Sequence, residues 1–371
     1  MKSEKGDSDL KSGILKFVKS VVFLLILGIL VMKAGEFLRP MDKDADVLVD
    51  FYDMEKDSAD VALIGSSALL RYWIPPMAYE EQGFTSSMLY CSGQDVSTVP
   101  YLIEELMKTQ DPDVILVETR RIITERLQEI RNTHNQARLD YYTQVMVSGM
   151  KPSLTKYHLI DEVLKLDGDE KLEYMVPLLK YHENIYEYSM EELLERDGED
   201  LIENTIRLPK TAVEEQKFRL YSEDEYKDYV LTEKYLGMLD DIQEKAQEYG
   251  KKVVFLCTPY ATSVKGQTLR AQMCEYMDEK GYEYIDLTVI PDEIGLDFKT
   301  DFYNGSHTNV SGAKKATSYL ARYLMENYEI EAEYSSSVQT FWSEFVERWH
   351  EKETTLMEEW EENCNKIQQG E

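Results

Sequence analysis

Two short stretches of this chain carry residue types that could do chemistry together. One is Gly65-Ser66-Ser67, directly after the apolar run Val61–Ile64. The other is Asp301-Phe302-Tyr303-Asn304-Gly305-Ser306-His307-Thr308-Asn309, followed by Gly312 and a helix-like run. A serine hydroxyl is a poor nucleophile until a base takes its proton, and neutral imidazole is the side chain suited to that task near pH 7. Such a pair attacks ester carbonyls. The two stretches lie well over two hundred residues apart, which is no obstacle, because the fold and not the spacing assembles a Ser–His pair.

Taken separately, each stretch has a plainer reading. Gly65 lets the chain turn sharply at a strand end, and a serine there can simply cap a helix. A nucleophilic serine at the same place would gain an oxyanion donor from its own amide. Of the five histidines, His134, His158, His182, His307 and His350, only His307 lies in a polar, glycine-flanked loop leading into a helix near the end of a domain. The combination with a strand-end Gly-Ser-Ser favours catalytic use.

The elements that must position these residues alternate. Val61–Ile64, Met88–Cys91, Val114–Glu118, Lys252–Cys257 and Tyr284–Asp286 read as strands. Residues 99–108, about 266–280 and 309–328 read as helices. Short apolar strands separated by helices predict an α/β fold, a flavodoxin-like three-layer parallel sheet. Functional groups in such sheets gather at the carboxyl ends of the strands, where Gly65-Ser66-Ser67 lies. The third strand ends in Thr119, Arg120 and Arg121. Arg120 is expected to pair with a nearby acid, with a place in the cleft as the alternative. About 125–250 reads as a helical insertion, either a cap over the site or extra scaffold. Phe341, Phe345, Trp349, Leu356, Trp360, Cys364 and Ile367 recur at helical spacing and predict an amphipathic helix over 338–371, which either packs back or engages a partner.

Composition narrows the function class. With 371 residues there is ample core for one large domain or two modest ones, and a net charge of −30 argues against nucleic-acid partners. Cys91, Cys257, Cys274 and Cys364 form no CxxC pair, and the histidines are scattered, so no metal site is expected. No phosphate-binding glycine loop occurs, and no cofactor is expected. Residues 1–38 read as a cytoplasmic tail and membrane anchor, with 39–57 a polar stalk. Val21–Met32 is uninterruptedly apolar or glycine, and Ile14–Leu38 could span with Lys19 and Lys33 lifted to the interfaces. Lys2, Lys5, Lys11, Lys16 and Lys19 precede the apolar centre, so the N-terminus is expected in the cytoplasm and the rest outside. A cleaved signal peptide is the alternative, but no clean small-x-small site follows.

On Gly65-Ser66-Ser67 and the late His307 block, the chain resembles the SGNH (GDSL-type) hydrolase superfamily over most of 58–330. Closest in style are membrane-anchored extracytoplasmic members related to the D-alanyl-lipoteichoic-acid biosynthesis protein and to polysaccharide O-acetylation proteins. The resemblance implies that Ser67 is the nucleophile, that Ser66 replaces the family aspartate near the substrate, that the amides of Ser67 and Gly93 hold the oxyanion, and that His307 is the base. No Gly-x-Ser-x-Gly elbow occurs, which disfavours the α/β-hydrolase alternative. The family usually has Asp three residues before the histidine. This chain has Asn304 there, with Asp301 the nearest acid. Either Asp301 reaches the ring, or a dyad operates, or hydrolysis has been lost. The resemblance implies a membrane-anchored esterase or O-acyltransferase acting on a cell-surface glycan or teichoic-acid-type polymer, with a membrane-bound O-acyltransferase as the suggested partner. Its alternative is a degenerate accessory protein of a cell-envelope acylation complex.

Overall fold

The computed structural model describes residues 2–132, 136–195, 210–226 and 228–369. His134 and parts of the expected insertion (133–135, 196–209 and 227) lie outside the described residues. The five apolar runs form one parallel sheet: β1 (Val61–Gly65), β2 (Ser86–Tyr90), β3 (Val114–Glu118), β4 (Lys252–Cys257) and β5 (Glu283–Asp286), in the order β2-β1-β3-β4-β5. Alternation along each strand sends side chains to two separate cores. Ala62, Ile64, Ile115, Val117, Val253 and Phe255 enter one. Val61, Leu63, Val114, Leu116, Val254 and Leu256 enter the other. Both faces are thus covered, as a parallel sheet requires.

In this strand order the chain's direction of winding reverses between β1 and β3. Crossovers leave on opposite faces there, opening a crevice at the carboxyl ends of the two strands. Gly65 and Glu118 are their last residues.

The covering helices come from both sides of the insertion. On one face lie α2 (Lys43–Asp53), α4 (Val99–Leu106), α5 (Arg120–Ile130), α6 (Gln136–Gly149), α7 (Leu154–Glu162), α11 (Glu233–Glu248) and α12 (Val264–Lys280). The other face is covered chiefly by α3 (Pro75–Gln82) and α14 (Val310–Asn327). The insertion continues through α8 (Gly168–Met175), α9 (Pro177–Tyr181) and α10 (Met190–Glu195), and the short α13 (Pro291–Ile294) precedes the His307 loop. Leu127, Met146, Val147, Leu159 and Ile160 join the main core, so this part of the insertion is scaffold. Its last stretch behaves differently. Glu214 N donates to Phe302 O at 2.8 Å and Val310 N to Lys210 O at 3.1 Å, which lays residues 210–216 beside the His307 loop.

Residues 39–57 are not a stalk. They contain α2, whose Leu48 and Phe51 are buried in the main core and whose Asp42 caps the helix through Asp44 N. Its buried residues mix Ala45, Val47, Leu48 and Phe51 with Asp44 and Asp46, whose carboxylates respectively accept from Ser92 N and pair with Arg39. Ahead of it runs α1 (Lys2–Phe37), in which Gly13–Phe37 is a 25-residue stretch of mean hydropathy 2.5. At about 1.5 Å per residue this exceeds the roughly 30 Å of a bilayer's hydrocarbon core. Over 13–30 the helix is exposed, Phe17, Phe23 and Leu24 included, and from 31 onward most of its residues are at least partly buried.

The C-terminal helix α15 (Ser336–Gln369) folds back onto α3 and α14. Val338, Trp342, Phe345 and Trp349 are its buried residues. Trp342 replaces Phe341 on the inner face, and Phe341 and Ile367 are 40% and 43% exposed. Further along, Trp360 Nε1 donates to Thr300 O at 2.9 Å and Asn363 Nδ2 to Thr211 O at 3.0 Å. These bonds hold the two segments that flank the His307 loop.

Candidate active site

The serine turn begins with a close approach. A Cβ on Gly65 would stand 2.6 Å from the Glu118 Cβ on the neighbouring strand. Glycine is needed here for interstrand space, not for a left-handed turn. Ser66 follows and points inward: it is 1% exposed, and its hydroxyl donates to Glu118 Oε2 at 2.7 Å. The expectation that Ser66 meets substrate is therefore corrected, since its hydroxyl satisfies a buried carboxylate. The chain then enters a short 3₁₀ turn, Leu69–Arg71, instead of a full helix. This leaves Ser67 partly exposed at the crevice, with its Oγ 3.1 Å from His307 Nε2.

His307 arrives on a two-stranded antiparallel hairpin, β6 (Phe302–Asn304) and β7 (His307–Thr308). Asn304 makes the tight turn: its Oδ1 accepts from Ser306 N at 2.9 Å and from Ser306 Oγ at 3.1 Å. Asparagine commonly supplies such a side-chain mimic of a backbone turn. The same oxygen lies 3.0 Å from His307 Nδ1, and an amide oxygen can only accept. Nδ1 therefore carries the proton and the Nε2 lone pair faces Ser67. That is the tautomer of a general base. Ala261 N donates to Gly305 O at 2.7 Å, and Thr308 Oγ1 to the Arg71 carbonyl, so the hairpin is pinned to both β4's loop and the serine turn.

Asp301 does not reach the imidazole. It is 0% exposed, accepts from Asp297 N at 2.7 Å and pairs with Lys315 Nζ at 2.6 Å. Its carboxylate anchors the start of the hairpin to α14 and is unavailable to the ring. Asn304 Oδ1 and Ser306 Oγ, each 3.0 Å away, are the groups at Nδ1.

The surroundings of the imidazole are cationic. Arg120 Nη2 lies 3.4 Å from His307 Nε2, and Nη1 of the same guanidinium donates to Ser306 O. Arg120 is 6% exposed and forms no ion pair among the described residues. The expected pairing with an acid belongs to its neighbour Arg121, 3.3 Å from Glu125. Tyr303 stacks on His307 with centroids 5.5 Å apart and planes 15° apart. Arg71 and Lys210 lie over the Tyr303 ring, at 5.3 and 5.6 Å from its centroid. Burial, then Arg120, Arg71 and Lys210, push the His307 pKa down to about 3. Each disfavours the imidazolium. Glu118 is the carboxylate at this strand end, but Ser66 Oγ, Arg120 N and Thr258 Oγ1 engage its two oxygens.

Gly93 follows β2 in a left-handed conformation, φ 71°. A Cβ there would press on the Tyr142 ring at 2.8 Å, so the position admits only glycine. Neither the Ser67 nor the Gly93 amide donates to another group among the described residues.

The sequence reading thus named Ser67, His307, Asn304 and Arg120, which the fold brings together. It missed Arg71, Lys210, Tyr303, Ser306 and Glu118. Only Glu118 left a signal, as a carboxylate closing an otherwise apolar strand. Among the described residues no group of three His, Cys, Asp or Glu side chains is placed to hold a metal ion. No protein-family model matches the chain, and no curated protein matches it either.

Proposed function

We propose that this chain is a serine esterase or O-acyltransferase of the SGNH type, carried on an N-terminal membrane anchor with its α/β domain outside the cytoplasm. The observation that carries the proposal is the Ser67 Oγ to His307 Nε2 contact of 3.1 Å, with Asn304 holding Nδ1. Ser67 Oγ would attack an ester carbonyl while Nε2 takes its proton. The amides of Ser67 and Gly93 are the proposed oxyanion donors. Collapse of the tetrahedral intermediate returns that proton to the departing alcohol and leaves an acyl-serine. A second hydroxyl, from water or from an acceptor glycan, then gives its proton to Nε2 and takes the acyl group, and Nε2 returns that proton to the departing Ser67 Oγ. The order of positive residues before and after the apolar stretch supports the outside placement. A surface glycan or teichoic-acid-type polymer is the proposed substrate, and a membrane-bound O-acyltransferase the proposed partner.

A second reading is favoured by one observation: among the described residues no carboxylate reaches the imidazole, so imidazolium forming during attack has no counter-charge from them. In a well-studied protease, replacing the triad acid by its amide costs about 10⁴-fold. The domain would then be an accessory module of an acylation complex. Fluorophosphonate labelling of the full chain in detergent separates the two. The enzyme reading expects covalent labelling of wild type that Ser67→Ala and His307→Ala abolish; labelling no stronger than in those variants overturns it.

A further inference from the structure

The end of α1 is gripped by the insertion. A Cβ on Gly35 would stand 2.4 Å from Leu178 N and 2.9 Å from Pro177 Cβ, so the helix backbone lies directly against α9. Leu38 is buried with Tyr181 and Leu193, and Phe37 and Leu178 pack against them. Asn184 Nδ2 donates to Leu38 O at 2.9 Å, and Met41 N donates to the Tyr188 hydroxyl at 3.3 Å. Between these two anchoring residues lie Ile185 and Tyr186. Both are exposed, as is Leu179 on α9. Among the described residues Tyr186 is the most exposed of the large hydrophobic side chains, at 89%. The position along α1 gives these residues a depth. Over 13–30 the helix is exposed, and at about 1.5 Å per residue that stretch rises about 27 Å, close to the roughly 30 Å of a hydrocarbon core. The ion pair of Lys33 with Glu36 follows, at 2.6 Å, and the α9 contact falls at the same level. A spanning α1 therefore sets α9 and the 3₁₀ turn His182–Tyr186 at headgroup depth. Tyrosine suits that depth, with an apolar ring and a polar tip. Charge agrees. In a chain of net charge −30, residues 176–186 carry only Lys180 and Glu183 as charged side chains, so this segment escapes the repulsion that an acidic one meets at an anionic leaflet. Acidity resumes at Glu187, Glu191 and Glu192.

We propose that Leu179, Ile185 and Tyr186 form a second membrane contact, lying in the bilayer interface beside the emerging α1 and fixing the orientation of the α/β domain over the lipid. A single span leaves a domain free to rock about the helix end. A packed junction with apolar side chains immersed beside it removes that freedom. The span leaving next to the patch and the near-neutrality of the segment favour lipid over a protein partner as the occupant. The inference rests on the membrane-anchor reading above and is independent of the esterase reading.

The test places one full chain in each phosphatidylcholine nanodisc, with a nitroxide on a single introduced cysteine in a Cys364→Ser background; Cys91, Cys257 and Cys274 are buried. Collisions of the label with oxygen, which partitions into lipid, are compared with collisions with a water-soluble nickel complex. Labels at Ile185→Cys and Tyr186→Cys should give an oxygen-to-nickel ratio about tenfold or more above that at Val289→Cys. Val289 is exposed beyond β5, at the sheet edge opposite the one beside α2. Adding Leu179→Asp and Tyr186→Asp to the Ile185→Cys protein should draw its label toward water and lower the ratio about threefold or more. All these positions are exposed, so the fold should survive, checked by an unchanged Tm. A label at Phe23→Cys reports on the anchor itself. Nickel-rich labels at 185 and 186 with an oxygen-rich Phe23 overturn the second contact and leave the anchor standing. A nickel-rich Phe23 removes the anchor reading and this inference together. Labels at 185 and 186 shielded from both reagents would show that protein covers the patch, and a ratio unmoved by the two aspartates would show that the α9 grip alone sets the depth; either result overturns the contact.

Discussion

His350 and His307 stand in opposite electrostatic surroundings on the same acidic chain. On the outer face of α15, His350 Nε2 lies 2.9 Å from Glu80 and its Nδ1 3.2 Å from Glu353. The Glu80 hydrogen bond, ahead of the other contributions, raises its pKa. Among the described residues His307 has three cations and no carboxylate for neighbours, and burial, ahead of these cations, lowers its pKa to about 3. With Asp and Glu outnumbering Lys and Arg by 71 to 41, the His350 setting is what an average position offers. A cationic pocket has to be assembled against that average, from residues distant in sequence. The contrast marks the crevice as the place where charge is arranged rather than merely carried.

The largest test of the contrast removes the reacting groups. Ser67→Ala or His307→Ala should lower kcat/KM on any ester the protein cleaves by at least about 10³-fold, with His350→Gln as the unaffected control. A smaller effect of opposite sign is expected from Asn304→Asp. It places a carboxylate where an amide now holds Nδ1, without disturbing the two Ser306 bonds that the oxygen accepts. Turnover of a neutral ester should rise about tenfold to a hundredfold at pH 7. The acidic limb of kcat/KM, which reports the free enzyme's base, should move up from near the low His307 value. No gain would mean that the ring's basicity is not what limits the site.

Trp360→Ala probes how the pocket is held. It removes the indole bond to Thr300 O and part of the packing under the His307 loop, and should destabilise the fold by about 1–3 kcal/mol, read as a lower Tm. It should also slow fluorophosphonate labelling, because Thr300 adjoins the anchor residue Asp301. Unchanged labelling with a lowered Tm would show that α15 braces the fold but not the loop. The smallest effect belongs to pH. A folded-state pKa raised at His350 gives stability that is present below the ordinary value near ~6.5 and fades as pH rises through the folded pKa. A depressed pKa at His307 does the opposite: stability present above ~6.5 is lost as pH falls toward its folded value. Difference curves of Tm against pH for His350→Gln and His307→Gln, each against wild type, should therefore slope in opposite directions. Parallel curves would break the comparison.

Much of the scaffold was legible because it repeats a simple pattern. Val114–Glu118 and Lys252–Cys257 are strands with the expected ends: each is a short, valine-rich apolar run, too short for a typical helix and suited to a sheet buried on both faces. The reading of 39–57 as a stalk failed for a related reason. Five aspartates in and beside α2, Asp42, Asp44, Asp46, Asp50 and Asp53, draw the eye, while Val47, Leu48 and Phe51 are buried in the cores. The C-terminal helix was foreseen with its inner face rotated, placing Phe341 where Trp342 lies, because an amphipathic pattern does not say which residue meets which groove.

The same division runs through the site. Sequence by itself determined that a serine would end the first strand, that a histidine would sit in a turn before the last helix of the domain, and that an asparagine would stand where an acid was expected. Those are local facts, set by residue identity and by short-range turn chemistry such as the Asn304 bonds to Ser306. Only the tertiary structure decided which hydroxyl reaches the imidazole, that Ser66 turns inward to Glu118, that Asp301 belongs to Lys315, and that Arg71, Arg120 and Lys210 share one small volume. Electrostatic surroundings depend on distance in space and on burial, and neither quantity is written in the order of residues along the chain.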